Sequence, residues 1–191
     1  EITRQLEQIL NNRLVDTCLL VGNSAGPVSV QAVVDMDDVA LSARVQTLSL
    51  RGANLNVSGS FALTAPVDLS LQGSSVDSSG GSVGLAAGGS LSTGGSSVTG
   101  NVNTTLTAGN LLSVDASLLA AINLVTLSGV NGVNISGAVI AATDLSVGAV
   151  DVSTGGSINI GGGTSISAVT VNLTAGSGIL LDGTGGILTG N

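Results

Sequence analysis

Short apolar groups recur along most of this chain at two-residue spacing. Val28, Val30, Ala32 and Val34 interleave with Ser29, Gln31, Val33 and Asp35, and another run begins near Val45 with Leu48 and Leu50 on one face. Leu55 with Val57, Phe61 with Leu63, and Val67, Leu69 and Leu71 follow, each group separated by small polar residues. The later half continues with Ile122 and Leu124, Val133 and Ile135, Leu145 and Val147, Val150 and Val152, Ile158 and Ile160, Val169 to Leu173, and Ile179 with Leu181. A period of two is that of a strand buried on one face. The apolar centres lie roughly six to ten residues apart, with no 3.6-period segment between them long enough for the crossover helices of an α/β fold. The pattern predicts an all-β protein. Short strands joined by Gly, Ser and Asn corners suit a β-solenoid, a parallel β-helix-like stack with about three strands per coil of roughly twenty residues. An antiparallel β-sandwich and a trimeric β-shaft are the alternative architectures.

The first residues follow a different period. Ile2, Leu6, Ile9, Leu10 and Leu14 recur at three- and four-residue steps on one helical face, and Arg13 projects into the same arc. The spacing predicts a short amphipathic helix from about Ile2 to Val15, within an N-terminal unit of residues 1–20 that precedes a β-rich unit of residues 21–191. Such a helix can cap the solenoid or contact another subunit, which makes Ile2, Leu6, Ile9, Leu10, Arg13 and Leu14 candidate assembly residues. The far end, from Gly178 onward, offers no helix and no Pro and reads as an uncapped coil, with the native chain either continuing beyond Asn191 or stacking there on another subunit.

Composition narrows the function classes. Hydrophobic residues make up 43% of the chain, too many for a disordered segment, yet Phe61 is the one aromatic residue. The core must therefore consist of thin Val, Leu, Ile and Ala layers. The net charge of −8, with four basic residues and none beyond Arg51, argues against a nucleic-acid footprint. The apolar stretches are too short and interrupted for a membrane-spanning helix, and the aromatic girdles of a transmembrane barrel are missing, so membrane insertion is not expected. Glu1 in place of an initiator Met fits a processed or trimmed chain. Cys18 is the one cysteine, so no intrachain disulfide framework exists.

Gly88-Gly89-Ser90-Leu91-Ser92-Thr93-Gly94-Gly95 and Gly155-Gly156-Ser157-Ile158-Asn159-Ile160-Gly161-Gly162 resemble the degenerate repeats of filamentous-haemagglutinin-type secreted β-helices, and also those of phage and viral fibre shafts. The likeness covers roughly residues 45 to 191 and implies an exported or virion-borne scaffold rather than a particular activity. No secretion domain that would mark the haemagglutinin family is visible.

Candidate chemistry is sparse. Histidine-dependent triads and zinc sites need residues this chain lacks, and no cofactor motif is present. Asp35, Asp37 and Asp38 form the only carboxylate cluster. As a glycosidase pair they would lack aromatic platforms for the sugar. As a Ca²⁺ site they depart from the EF-hand spacing, and a solvated loop is the default reading. Asn56, Asn103, Asn134 and Asn172 each open an Asn-x-Ser/Thr sequon, and regular Thr-x-Thr rows are not evident. The expectation is a non-enzymatic structural protein that stacks with copies of itself into an extracellular fibre, sheath or surface filament. A phage or viral fibre or receptor-binding shaft, and a secreted adhesin making glycan or cell-surface contacts, are the alternatives. Each places the protein outside the cell, at its surface or on a virion.

Overall fold

A computed structural model describes residues 18–20, 31–33, 39–43, 47–182 and 187–189. The chain winds as a parallel β-solenoid. Three sheets run along it, of eight, seven and eight strands, and every pairing among the described strands is parallel. This excludes the antiparallel sandwich. The candidate residues of the N-terminal helix, and Asp35, Asp37 and Asp38, lie outside the described residues.

Successive strands of one coil contribute to sheets A, B and C in turn. Phe61–Ala65, Asp68–Gln72 and Ser75–Ser78 make one such coil, and Val83–Ala87, Leu91–Gly94 and Ser97–Gly100 make the next. Equivalent residues in neighbouring coils are usually 21 or 22 positions apart. The alternation seen in the sequence then becomes a set of columns. In sheet A, Leu63, Leu85, Leu106 and Leu127 stack in register, followed by Val152 and Leu173. In sheet B the column is Leu48, Leu69, Leu91, Leu112, Val133, Ile158 and Ile179. Leu55, Val76, Val98, Leu119, Ile140 and Ile166 form the sheet C column. These three columns meet in one continuous core. Coils lie about 4.8 Å apart, the strand spacing of any sheet, so each layer is one side chain thick. Each fully buried aliphatic contributes about 1.5–3 kcal/mol.

Corners are set by backbone conformation. Between sheets B and C the chain turns through a left-handed residue in coil after coil: Gly52 (φ 57°), Gly73 (57°), Gly95 (60°), Gly137 (58°) and Gly163 (76°). Ala116 holds the same corner at φ 46° and is the one non-glycine residue with positive φ among those described. A side chain there is strained because its Cβ approaches the following carbonyl oxygen. Ala116→Gly is expected to stabilise the protein by about 1 kcal/mol, seen as a raised urea midpoint with an unchanged slope. A lowered midpoint would contradict the strain.

The next corner position is buried and often serine. The amides of Ala53, Ser74 and Ser96 donate to the hydroxyls of Ser74, Ser96 and Ser117, one coil further on, at 3.2, 3.2 and 3.3 Å. Those hydroxyls donate in turn to the carbonyls of Gln72, Gly94 and Asp115. The ladder satisfies buried corner amides that the sheets leave unpaired. Ala138 and Thr164 continue the column without extending that ladder, and the Thr164 hydroxyl is buried with no partner.

One coil is longer than its neighbours. Asn159 stacks on Asn134, 25 residues earlier, because residues 143–148 form an extra loop between the strands Val139–Ala142 and Ala149–Thr154. Leu145 and Val147, whose alternation predicts a strand, sit in this loop and are 91% and 64% exposed. Asp144 explains the difference. Its carboxylate accepts the Ser146 and Val147 amides at 2.7 and 3.1 Å and the Ser146 hydroxyl at 2.6 Å, closing an Asx-type turn where a strand would continue.

Candidate assembly surfaces

The outside of the shaft is built from the residues that alternate with the core columns. On sheet B these include Ser49, Ser70, Ser92 and Ser113 in register, followed by Asn134 and Asn159. The Asn159 amide donates to the Asn134 side-chain oxygen at 2.8 Å. Asn131 bonds Asn110 in the same way at 2.9 Å, and Asn172 donates to Asp151 at 2.7 Å. These contacts lie between coils and brace the exterior. Sheet A carries Thr105 and Thr107 outward on one strand and Thr126 and Ser128 on the next, but Gly84 with Ala86 before them and Asp151 after them interrupt any regular hydroxyl array.

Carboxylates are scattered. Asp68, Asp77, Asp115, Asp144, Asp151 and Asp182 fall on different strands and corners, and no group of three or more His, Cys, Asp or Glu gathers among the described residues to hold a metal ion. Asp68 accepts the Ser90 amide at 2.8 Å. Asp144 is held below the ordinary carboxylate range chiefly by the Ser146 hydroxyl, then by the Ser146 and Val147 amides, with partial desolvation opposing them. A lowered carboxyl pKa means that the ionised form favours the ordered turn. That preference is fully present at neutral pH and is lost as pH falls through the depressed folded value, below the usual carboxylate range. Amide exchange at Ser146 and Val147 should therefore stay constant from neutral pH to about pH 4, after correction for intrinsic rates, and lose protection only below it. Loss of protection above pH 5 would contradict the assignment.

Two buried hydroxyls stand apart. Thr93 is fully buried in a sheet B column between Leu71 and Val114, and its hydroxyl, like that of Thr164, has no hydrogen-bond partner. Thr104, equally buried, is satisfied by donating to the Ala120 carbonyl at 2.6 Å and accepting the Gly100 amide at 2.9 Å.

Two surfaces break the pattern of small polar groups. One is the last described coil. Ile179 and Leu181 are in register with Ile158 and Ile160, which are 0% and 2% exposed, yet are themselves 47% and 52% exposed. The other is a patch on sheet C beside the loop of residues 143–148, with a groove of about 290 Å³ lined by Ala141, Leu145, Ala168 and Val169 among others. The sequence marked the first as an uncapped end. It gave no sign of the second, because outward Leu118 and Ala120 merge with inward Leu119 and Ala121 into one apolar run. No described helix is long and apolar enough to cross a membrane.

The architecture defines the class: a parallel β-solenoid with a continuous, mainly aliphatic core and a sparsely charged, hydroxyl- and amide-rich exterior. A comparison with known protein families, curated proteins and solved structures found no match to this chain.

Proposed function

We propose that the protein is a non-enzymatic structural element, the shaft of an extracellular fibre, sheath or surface filament, extended by coil-on-coil stacking of copies. The observation that carries this reading is the stack itself: three in-register aliphatic columns share one core, so each coil is stabilised by the next one laid on it. A further coil laid in register on Gly178–Leu181 would bury Ile179 and Leu181, which are in register with the core residues Ile158 and Ile160, each worth about 1.5–3 kcal/mol. In this reading a second copy supplies that coil. The exterior supports a structural role: aligned Ser and Asn columns, few charges, and no basic residue beyond Arg51 for trypsin-like proteases to cut.

Electron microscopy of the purified protein at neutral pH tests it, paired with an Ile179→Asp/Leu181→Asp variant that places charge on the exposed coil. Open-ended filaments from the parent chain and none from the variant are expected. Discrete trimers would favour a phage or viral fibre shaft instead. Stable single solenoids from the parent chain would overturn both.

A further inference from the structure

The outward face of sheet C changes character along the shaft. Its strands present Asn54 and Asn56, Ser75 and Asp77, then Ser97 and Thr99. In the next two coils the same positions are Leu118 with Ala120 and Val139 with Ala141, after which Ser165 and Ser167 restore the polar pattern. Leu118 and Val139 are 43% and 47% exposed, so this is an apolar shelf between polar coils on either side. It is ordered as two rows: Leu118 and Val139 form a row of large side chains, and Ala120 and Ala141 form a parallel row of small ones.

We propose that this shelf is a lateral interface with a second copy of the chain, in which the large row of each copy packs over the small row of the other. A two-fold axis parallel to the shaft and lying in the interface reverses the direction across the rows while preserving the order of coils. It therefore sets Leu118 over the partner's Ala120 and Val139 over the partner's Ala141, and reciprocally. The two shafts then run in the same direction, and the contact is isologous and closed. Facing sheets that interdigitate large over small side chains make a dry, dense interface.

Charge opposes pairing of like copies least at this surface, while the match of its large and small rows picks a second copy as the occupant. Like copies carry a net charge of −8 and repel each other over much of their surface. Asp77 is the one charged residue on the described strands of sheet C, and the strand Ser97–Gly100 separates it from the shelf, roughly one Debye length away at physiological salt. Of the carboxylates at the shelf's margins, Asp144 is engaged by its own turn and Asp115 ends the sheet B strand one corner before Leu118. That turn also fixes the flank: Asp144 donates its amide to the Ile122 carbonyl at 2.8 Å, holding Leu145 and Val147 out from the corner. The two-fold brings this flank to the opposite margin of the partner's shelf, where the corners turn through small Ala116 and Gly137.

The shelf is small beside the roughly 800 Å² per partner of a standard interface, so dissociation constants of about 10–1000 µM are expected. The pairing does not depend on end-to-end stacking: solenoids that never form filaments would still dimerise, and filaments without it would remain single.

Sedimentation velocity over a concentration series, on chains also carrying the Ile179→Asp/Leu181→Asp change so that ends cannot contribute, reads the contact directly. The expected result is a reversible dimer, weakened at least about tenfold by Val139→Asp. Val139→Ser, which copies the residue at the next coil, should weaken it similarly without threatening the fold. Ala141→Leu is the sharper test. On a merely sticky patch it would tighten association, but here it sets large against large and should weaken the dimer about tenfold. The row swap Val139→Ala/Ala141→Val should restore the parent affinity to within about threefold. A monomer at the highest concentration, tightening by Ala141→Leu, or failure of the swap to restore pairing would each overturn the proposal.

Discussion

Gly156→Ala is expected to destabilise the protein by about 3 kcal/mol, at the upper end of what overpacking costs. Gly156 turns the corner from sheet A to sheet B directly over the preceding coil. A Cβ built on it would lie inside the van der Waals envelope of the Asn131 carbonyl oxygen, with the Gly132 amide nitrogen only 3.2 Å away. These are backbone atoms, so no rotamer change relieves the contact. The corner cannot lift away either: the Gly156 amide is bonded to the Thr154 hydroxyl at 3.0 Å, and its carbonyl accepts the Ser177 amide from the following coil at 2.9 Å. Relief requires prising two coils apart against three sheets that fix their spacing. Gly178→Ala is the matched control, because nothing lies within 4 Å of a Cβ there. Urea denaturation of the two variants should show a large loss for the first and less than about 0.5 kcal/mol for the second. Equal effects would show that loss of glycine itself, not coil stacking, sets the cost.

The same contact explains what sequence reading could and could not recover. Inward positions such as Leu48, Leu50, Phe61, Leu63, Leu69 and Leu71 were legible because a one-sided strand must alternate, and all six are buried. The parallel direction was legible from the short spacing of the strands, not from the alternation itself. Alternation is the same in parallel and antiparallel strands, and what separates them is the repeat, which the corners blur. A corner can be as short as Gly52-Ala53 or as long as Gly161-Gly162-Gly163-Thr164, and residues 143–148 lengthen one coil to 25 residues. Leu145 and Val147 mimic a strand at two-residue spacing, and only the three hydrogen bonds accepted by Asp144 reveal a turn. The sheet C shelf was hidden for a related reason. In the runs at Leu118–Ala121 and Val139–Ala142 both faces are apolar, so period alone cannot say which side chains point outward. Candidate assembly residues from Ile2 to Leu14 lie outside the described residues, so the surfaces assigned to assembly rest on the middle and far coils alone.

Leu106→Ala should cost about 2–5 kcal/mol and change the manner of unfolding as well as its midpoint. Leu106 is fully buried between Leu85 and Leu127 in the sheet A column, each 1% exposed or less. Because every layer is one side chain thick, the cavity opens between adjacent coils and removes contacts on both sides of it. In a stack whose stability is a sum of coil and nearest-neighbour terms, weakening one interface lets the two halves melt separately. Hydrogen exchange in the variant should therefore show coils beyond the substitution, at Val125, Val150 and Val171, opening at a lower denaturant concentration than the coil at Phe61 and Leu63. Leu173→Ala removes the same side chain from the same column, but Leu173 is only half-buried at the last described coil, so it should cost about 1 kcal/mol and leave the remaining coils cooperative. Equal costs at Leu106 and Leu173, or a single coincident transition in both variants, would contradict a core made of thin, serially coupled layers. The expected contrast follows from the arrangement that makes a stack of near-identical coils extensible: each layer is held mainly by its two neighbours, so a coil gains most of its stability from being covered.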